Sequence, residues 1–295
     1  MAAPSGAQAV RPQLLGLVRH AFGDIYQVDR EVGRGGDARV FLATDRAGRK
    51  VALKILHPEF LESVAADRFL REIRLVSRLN HPQIARLLDS GERDWFVYLA
   101  MSFIEGPSLR EVLGRGRRLS LPDTLRIGLD LLDALDHAHR FGIVHRDVKP
   151  ENVIISRDRG AVLLDFGIAR AIVTSMSREI TRAGVTVGSS SYMSPEQING
   201  DEKIDGRSDL YSLGCVLFEC LTGRPPFVWR KEAVVLQLHL TEPAPDVRDL
   251  RPDVPPELAD AIAKALRKEP GERWQSAGEM RDILARLAAP SLRSA

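Results

Sequence analysis

Hydrophobic and polar positions alternate with a period of two through much of the first third of the chain and recur at helical spacing through most of the rest. Strand-like alternation runs from Ile25 to Leu56, as Ile25-Tyr26-Gln27-Val28, Val40-Phe41-Leu42-Ala43 and Val51-Ala52-Leu53-Lys54-Ile55-Leu56. A glycine-rich turn separates the first two runs, and Asp45-Arg46-Ala47-Gly48 separates the last two. An amphipathic helix is expected over about 66–79, ended by Asn80-His81-Pro82. Two further strands are expected over 85–88 and 95–104. Gly106-Pro107 then breaks the chain and marks the boundary between two lobes. Beyond it, Ser120-Leu121-Pro122-Asp123 opens a helix with Leu125, Leu129, Leu132 and Leu135 on one stripe. Residues 211–221 are apolar nearly all round, which predicts a buried central helix ending near Gly223. Amphipathic helices follow over 256–267 and 276–287. The first twenty residues read as a tail: Leu14, Leu15, Leu17 and Val18 would suit a short docking helix, but a frayed terminus is the expectation.

This order, strands first and helices after, predicts an α+β enzyme of two lobes, a small β-rich N-lobe with one helix and a larger helical C-lobe. The expected organisation is a flexible tail over 1–25, one domain over 26–287 divided at 105/106, and a short tail over 288–295. No internal repeat or low-complexity block interrupts it.

Composition narrows the function classes. The chain has 295 residues, 44% hydrophobic and 28% charged, with 42 basic against 40 acidic side chains. A formal charge of +2 provides no whole-chain attraction to nucleic acid or to anionic lipid. No apolar run approaches the roughly 20 residues that span a bilayer. The first ten residues lack the basic and apolar regions of a signal peptide. Cys215 and Cys220 share one apolar segment and read as buried thiols, not as a disulfide or zinc framework. A cytoplasmic location is expected.

Three groups of residues carry candidate chemistry. Gly33-Arg34-Gly35-Gly36-Asp37-Ala38 lies between two strands, which argues against a dinucleotide fold and a Walker loop. Alone it would be an ordinary hairpin turn. Lys54 sits inside an apolar strand, and Glu72 shares a helical stripe with Phe69, Val76 and Leu79. Two charges each placed toward apolar surface point to one another as partners. Taken singly, each would be a snorkelling lysine or a solvated glutamate. Finally, His145-Arg146-Asp147-Val148-Lys149-Pro150-Glu151-Asn152 is followed by Asp165-Phe166-Gly167. A carboxylate, an ammonium, an amide and a second carboxylate would position a hydroxyl and supply oxygen ligands to a hard divalent ion.

The last group resembles the catalytic and metal-binding loops of protein kinases, and the resemblance runs from about Tyr26 to Leu287. The wording of Val51-Ala52-Leu53-Lys54, His81-Pro82, Gly167-Ile168-Ala169-Arg170 and Ser194-Pro195-Glu196-Gln197 is most similar to bacterial Hanks-type serine/threonine kinases. Many of these carry a membrane helix and sensor domain after the kinase.

The resemblance implies a role for each matching residue. Asp147 orients the acceptor hydroxyl and receives its proton, Lys149 neutralises the transferring group, and Asn152 and Asp165 hold Mg²⁺ (or Mn²⁺). Lys54 meets the α- and β-phosphates of ATP and Glu72 holds it. Val32, Gly33, Gly35, Gly36, Val40, Ala52, Met101, Ser102, Ile104 and Ile154 form the ATP pocket, with Met101 as gatekeeper. Ala38 stands where a third glycine is usual, and Ser189 where threonine is usual. Glu196 pairs with Arg273, and Asp209 accepts backbone N–H bonds from the catalytic loop, all three being structural. His145 is a packing residue and not a general base. Arg146 is a phosphate clamp for an activation loop whose first candidate phosphosite is Thr181 and second Thr186.

The expected activity is that of a non-specific serine/threonine protein kinase, acting on serine and threonine residues of proteins and autophosphorylating through a transient homodimer. Glu151 would favour basic residues near the acceptor. Two rivals remain: a pseudokinase that binds ATP without turnover, and a small-molecule phosphotransferase of kinase-like fold. Intact Lys54, Glu72, Asp147, Asn152 and Asp165 weigh against the first. The complete segment from Asp165 to Glu196 weighs against the second.

Overall fold

A computed structural model of the chain describes residues 10–35, 38–56, 73–166 and 189–291. It divides into two compact units, Met1–Ile73 with Arg86–Phe103, and Arg74–Ala85 with Ile104–Ala295.

The smaller unit is built on a five-stranded antiparallel sheet. Its strands are β1 (Tyr26–Arg34), β2 (Ala38–Asp45), β3 (Lys50–Leu56), β4 (Leu87–Arg93) and β5 (Phe96–Ser102), in spatial order β1-β2-β3-β5-β4. In β3 the alternation read from the sequence becomes alternation of faces, because successive side chains leave a strand on opposite sides. Val51, Leu53 and Ile55 are almost fully buried, in one cluster with Phe41, Ala43, Tyr98 and Ala100. Ala52 and Lys54 point to the other face. Register partners share a face, so Val40 opposite Lys54 and Met101 opposite Ala52 join them there.

Two expectations differ from what is observed. The stretch treated as a flexible tail contains a helix, α1 (Val10–Phe22), whose Val18, Ala21 and Phe22 are buried in that same sheet cluster. Sequence pattern alone could not show this, since the surface that holds α1 combines β1, next to it in the chain, with Phe96 and Tyr98 of β5, more than seventy residues on. The strand expected over 85–88 lies instead over Leu87–Arg93, and Ile84 only bridges Leu163. Asp89, Ser90 and Glu92 are tolerated there because β4 is an edge strand with one pairing partner. Of the helix expected over 66–79, residues 66–72 lie outside the described residues and 73–76 are helical.

The larger unit is helical. Its helices are α2 (Leu109–Leu113), α3 (Leu121–Arg140), α4 (Pro195–Asn199), α5 (Gly206–Thr222), α6 (Glu232–Thr241), α7 (Pro256–Ala265) and α8 (Ala277–Ser291). The Ser120 hydroxyl caps α3 by accepting the Asp123 N–H. Every residue of α5 from Ser208 to Thr222 is buried, including the free thiols Cys215 and Cys220, whose pKa values burial pushes up. The helix stops at Gly223 in the left-handed region.

A hairpin of β6 (Val153–Ser156) and β7 (Gly160–Leu163) sits in this unit, and Ile155 N–H donates to Pro107 C=O at 2.9 Å. Gly106 is needed beside it: its φ is +146°, and a Cβ there would lie 2.3 Å from the Ile155 carbonyl oxygen. Because Val153 pairs with Leu163, the hairpin brings the segments before and after it side by side. Among the described residues no helix is long and apolar enough to cross a membrane.

Candidate active site

The residues 145–152 and 164–166 meet at the open end of this hairpin, and a carboxylate from α5 holds the first segment in place. Asp209 is fully buried in the first turn of α5, where the helix N-terminus favours negative charge. Its two oxygens accept the backbone N–H groups of His145 and Arg146, each at 2.8 Å, and the Nε2 of His139 lies 2.8 Å from Oδ2. Arg146 adopts φ +64°, a conformation that costs a non-glycine residue on the order of 1–2 kcal/mol. It is held there from both sides, since its carbonyl accepts the side-chain N–H of Gln197 at 2.8 Å. The Gln197 amide is shared: its oxygen accepts the Ser194 N–H to complete the capping box of α4.

His145 is buried, and burial lowers its pKa so that the ring is neutral. The neutral ring joins the two segments. Nε2 lies 2.7 Å from the Leu164 carbonyl, Nδ1 accepts the Asp147 N–H at 3.2 Å, and the ring packs on Phe166 at 4.7 Å. Leu164 N–H in turn donates to the Asn152 carbonyl at 2.8 Å. Asp165 follows at φ +48°, a second non-glycine residue in the left-handed region, with buried Phe166 beyond it. Paired outliers of this kind concentrate at functional sites.

On this frame the polar side chains converge. Asp147 Oδ2 is 2.8 Å from Lys149 Nζ and accepts the Asn152 amide N–H at 2.9 Å. The other Asn152 N–H donates to the Asp147 carbonyl at 2.8 Å, so the amide oxygen is the side chain's remaining acceptor. Asp147, Lys149 and Asn152 therefore form one hydrogen-bonded group, positioned to act on a hydroxyl and on developing negative charge.

The remaining candidates fall in other places. In the smaller unit, Gly33 pairs with Val40 across the β1–β2 hairpin, and Gly35 N–H donates to the Ala38 carbonyl at 2.9 Å. Val32 is exposed, while Val40, Ala52, Lys54 and Met101 share the sheet face described above, with Ser102 ending β5. In the larger unit, Ile154 packs against Ile104 and Val162. Glu196 and Arg273 form a buried bidentate pair at 2.7 and 2.8 Å. Gly36, Glu72, Thr181 and Thr186 lie outside the described residues.

Sequence reasoning missed three contributors. His139 is one, and its partner Asp209 lies 70 residues from it. The Ser194-x-x-Gln197 spacing signals a capping box, but not the second bond of Gln197. Glu151 is held by Arg110 at 2.8 Å, and the same guanidinium bonds buried Glu219 at 2.7 Å and the Tyr192 hydroxyl. Arg110 thus links α2, α5 and the site loop.

With this geometry in view, comparison with known proteins is decisive at the level of family. Residues 26–285 match the protein kinase domain family, and the chain belongs to it. It is 43% identical over 268 residues to a probable serine/threonine-protein kinase of Streptomyces coelicolor, covering 88% of this chain and 39% of that protein. It is 39% identical over 271 residues to serine/threonine-protein kinase PknB of Mycolicibacterium smegmatis, covering 90% of this chain and 43% of that one. It is 42% identical over 258 residues to PknD of Mycobacterium tuberculosis, covering 86% and 38%. The chain therefore spans about two fifths of the length of these relatives. Among solved structures, Rad53 residues 1–466 in complex with AMP-PNP superposes with a TM-score of 0.72 at 26% identity, over 89% of this chain and 65% of that one. The fold is the α+β protein-kinase fold, with a β-rich smaller unit and a helical larger one.

Proposed function

We propose that the chain transfers the γ-phosphate of ATP to serine and threonine hydroxyls of proteins. The observation that carries this reading is the hydrogen-bonded group of Asp147, Lys149 and Asn152, in a loop anchored on the buried carboxylate of Asp209. Asp147 orients the acceptor hydroxyl and takes its proton as the oxygen–phosphorus bond forms. The bond from the γ-phosphorus to the leaving ADP breaks, and Lys149 balances the charge on the moving phosphoryl group. The lysine already lies against Asp147, so it also holds the carboxylate in place. Lys54 meets the nucleotide phosphates, with Val40, Ala52 and Met101 on the same sheet face toward the base.

An amide oxygen from Asn152 and a carboxylate from Asp165 suit a hard ion such as Mg²⁺, which uses few protein ligands and takes the rest from phosphate and water. Among the described residues no group of three histidine, cysteine or acidic side chains gathers into a metal cage, and this donor set asks for none. When bound, the ion would neutralise the phosphates.

The segment between Gly167 and Glu196 would be autophosphorylated, at Thr181 first and Thr186 second, through a transient homodimer. Arg146 faces that role with a backbone locked at both ends. Incubating the protein with radiolabelled ATP, with and without a generic protein acceptor and with small hydroxyl compounds, separates the readings. Label on protein supports the proposal, label on small acceptors only favours a small-molecule phosphotransferase, and nucleotide binding without transfer favours a pseudokinase.

A further inference from the structure

The helix α1 precedes residue 26, where the match to the kinase family begins, yet it is tightly built into the smaller unit. Val18 and Phe22 are fully buried and Ala21 nearly so. Phe22 meets the Tyr98 ring edge to face at 4.9 Å and lies 6.3 Å from the Phe96 ring. Leu14, Leu15 and Ile25 pack at the margin of the same cluster.

Polar ties fix the end of the helix. The Arg19 guanidinium donates to the carbonyls of Val28, at 2.9 Å, and Asp29 on β1. The Arg93 guanidinium, from β4, donates to the Ala21 carbonyl and to the Asp24 carboxylate. Arg46, after β2, donates to the Asp24 carbonyl. Three arginines thus join α1 and the turn after it to three parts of the sheet unit.

The face that α1 covers is the reverse of the face that carries Lys54. Val51, Leu53 and Ile55 point toward the α1 cluster, and Ala52 and Lys54 point away from it on the same strand. Ile55 pairs with Tyr98, whose ring Phe22 meets edge to face, and Lys54 pairs with Leu99 beside it. β3 is the middle strand of the sheet, so its placement sets that of Val40 and Met101 as well. A sheet has to bury an apolar face against another element, and among the described residues α1 is the helix that covers this one.

We propose that α1 braces β3, with Phe22 and Val18 as positioning residues for nucleotide binding by Lys54 and its sheet face. The brace itself is independent of the proposed kinase activity, whereas its effect on nucleotide rests on that reading. Phe22→Ala in the full chain removes the ring that supports Tyr98, and Phe22→Leu retains an apolar filler. Arg19→Ala loosens the helix end while leaving the apolar contacts in place.

The test combines amide hydrogen exchange over 51–56 with the Kd for a fluorescent ATP analogue measured without turnover. Phe22→Ala should lose at least roughly tenfold in protection at 51–56, while 121–140 and 206–222 keep theirs. Its nucleotide Kd should rise by at least about fivefold, equivalent to roughly 1 kcal/mol. Phe22→Leu should recover most of both, and Arg19→Ala should shift both in the same direction by less.

Wild-type protection and Kd in Phe22→Ala would overturn the proposal, as would protection lost equally in both units. Protection lost with Kd unchanged would also overturn the positioning role. If Phe22→Ala does not fold, Arg19→Ala decides, and no change in either readout rejects the brace. A wild-type chain that binds no nucleotide defeats the functional reading, and exchange over 51–56 then decides on the brace by itself.

Discussion

Replacing Glu196 by Gln should strand a guanidinium in the core of the larger unit. The Arg273 side chain is 0% exposed and that of Glu196 7%, so solvent barely screens the pair. At 2.7 Å and an effective dielectric of about 20, the attraction is worth roughly 6 kcal/mol before desolvation is subtracted. Breaking a buried pair by removing one partner typically costs about 3–5 kcal/mol, because the remaining charge stays uncompensated. Arg273 also donates to the carbonyls of Arg267, Lys268 and Arg207, and its guanidinium lies over the Tyr211 ring. Arg273→Met therefore costs more than the pair alone, because it also removes three hydrogen bonds to carbonyls. The double variant should be less destabilised than the sum of the two singles by about 2–3 kcal/mol, near the upper end of measured couplings. Urea denaturation of the four proteins of the cycle measures this. The fluorescence of Trp274, next to Arg273 and bonded to the Ala261 carbonyl, is one usable local probe. A coupling below about 0.5 kcal/mol would refute the reasoning, since a buried bidentate pair cannot be energetically silent.

Further outcomes follow from the histidines and from the anchoring of the site. Burial lowers the pKa of His145, and lowers that of His239 to about 3, so the unfolded chain binds protons below about pH 6.5 that the native chain refuses. Their contribution to stability is complete above that pH and falls as pH drops, by up to about 1.4 kcal/mol per unit for each histidine. Urea midpoints at pH 7 and 5.5 should show the loss, and equal midpoints would count against it. Asp209→Asn sets an NH₂ against a backbone N–H and should cost about 2–4 kcal/mol, with kcat falling more than KM rises; unchanged kcat would show that the loop holds itself. Glu72→Gln should lower kcat/KM by at least about tenfold, equivalent to roughly 1.4 kcal/mol, and steady-state kinetics indistinguishable from wild type would remove Glu72 as the partner of Lys54.

The parts of the structure that were legible in the sequence are those whose cause is local. The alternation of Val51, Leu53 and Ile55 against Ala52 and Lys54 announces a strand with two unlike faces, and that is how β3 is built. Ser120 followed by a leucine stripe announces α3. Asp147, Lys149 and Asn152 lie within six positions, so short-range geometry is enough to bring them together. What stayed hidden depends on distant segments. The face that binds α1 is assembled from β1, β2, β3 and β5, so Leu14 to Phe22 looks like a frayed amphipathic end until the sheet exists. His139 meets Asp209 only because α3 and α5 pack together. Arg110 meets Glu219 across more than a hundred residues. Asn152 turns both amide hydrogens toward Asp147, a detail no spacing rule contains.

The most direct test of the central claim is phosphoryl transfer by the Asp147→Asn protein. Wild-type chain with radiolabelled ATP, Mg²⁺ and a generic protein acceptor should label serine and threonine residues. Asp147→Asn should cut the rate by at least about a hundredfold, as expected when a positioned base is lost, while the nucleotide Kd stays near the wild-type value. Labelling by Asp147→Asn at the wild-type rate, or no transfer by the wild-type chain to any protein, would contradict the account.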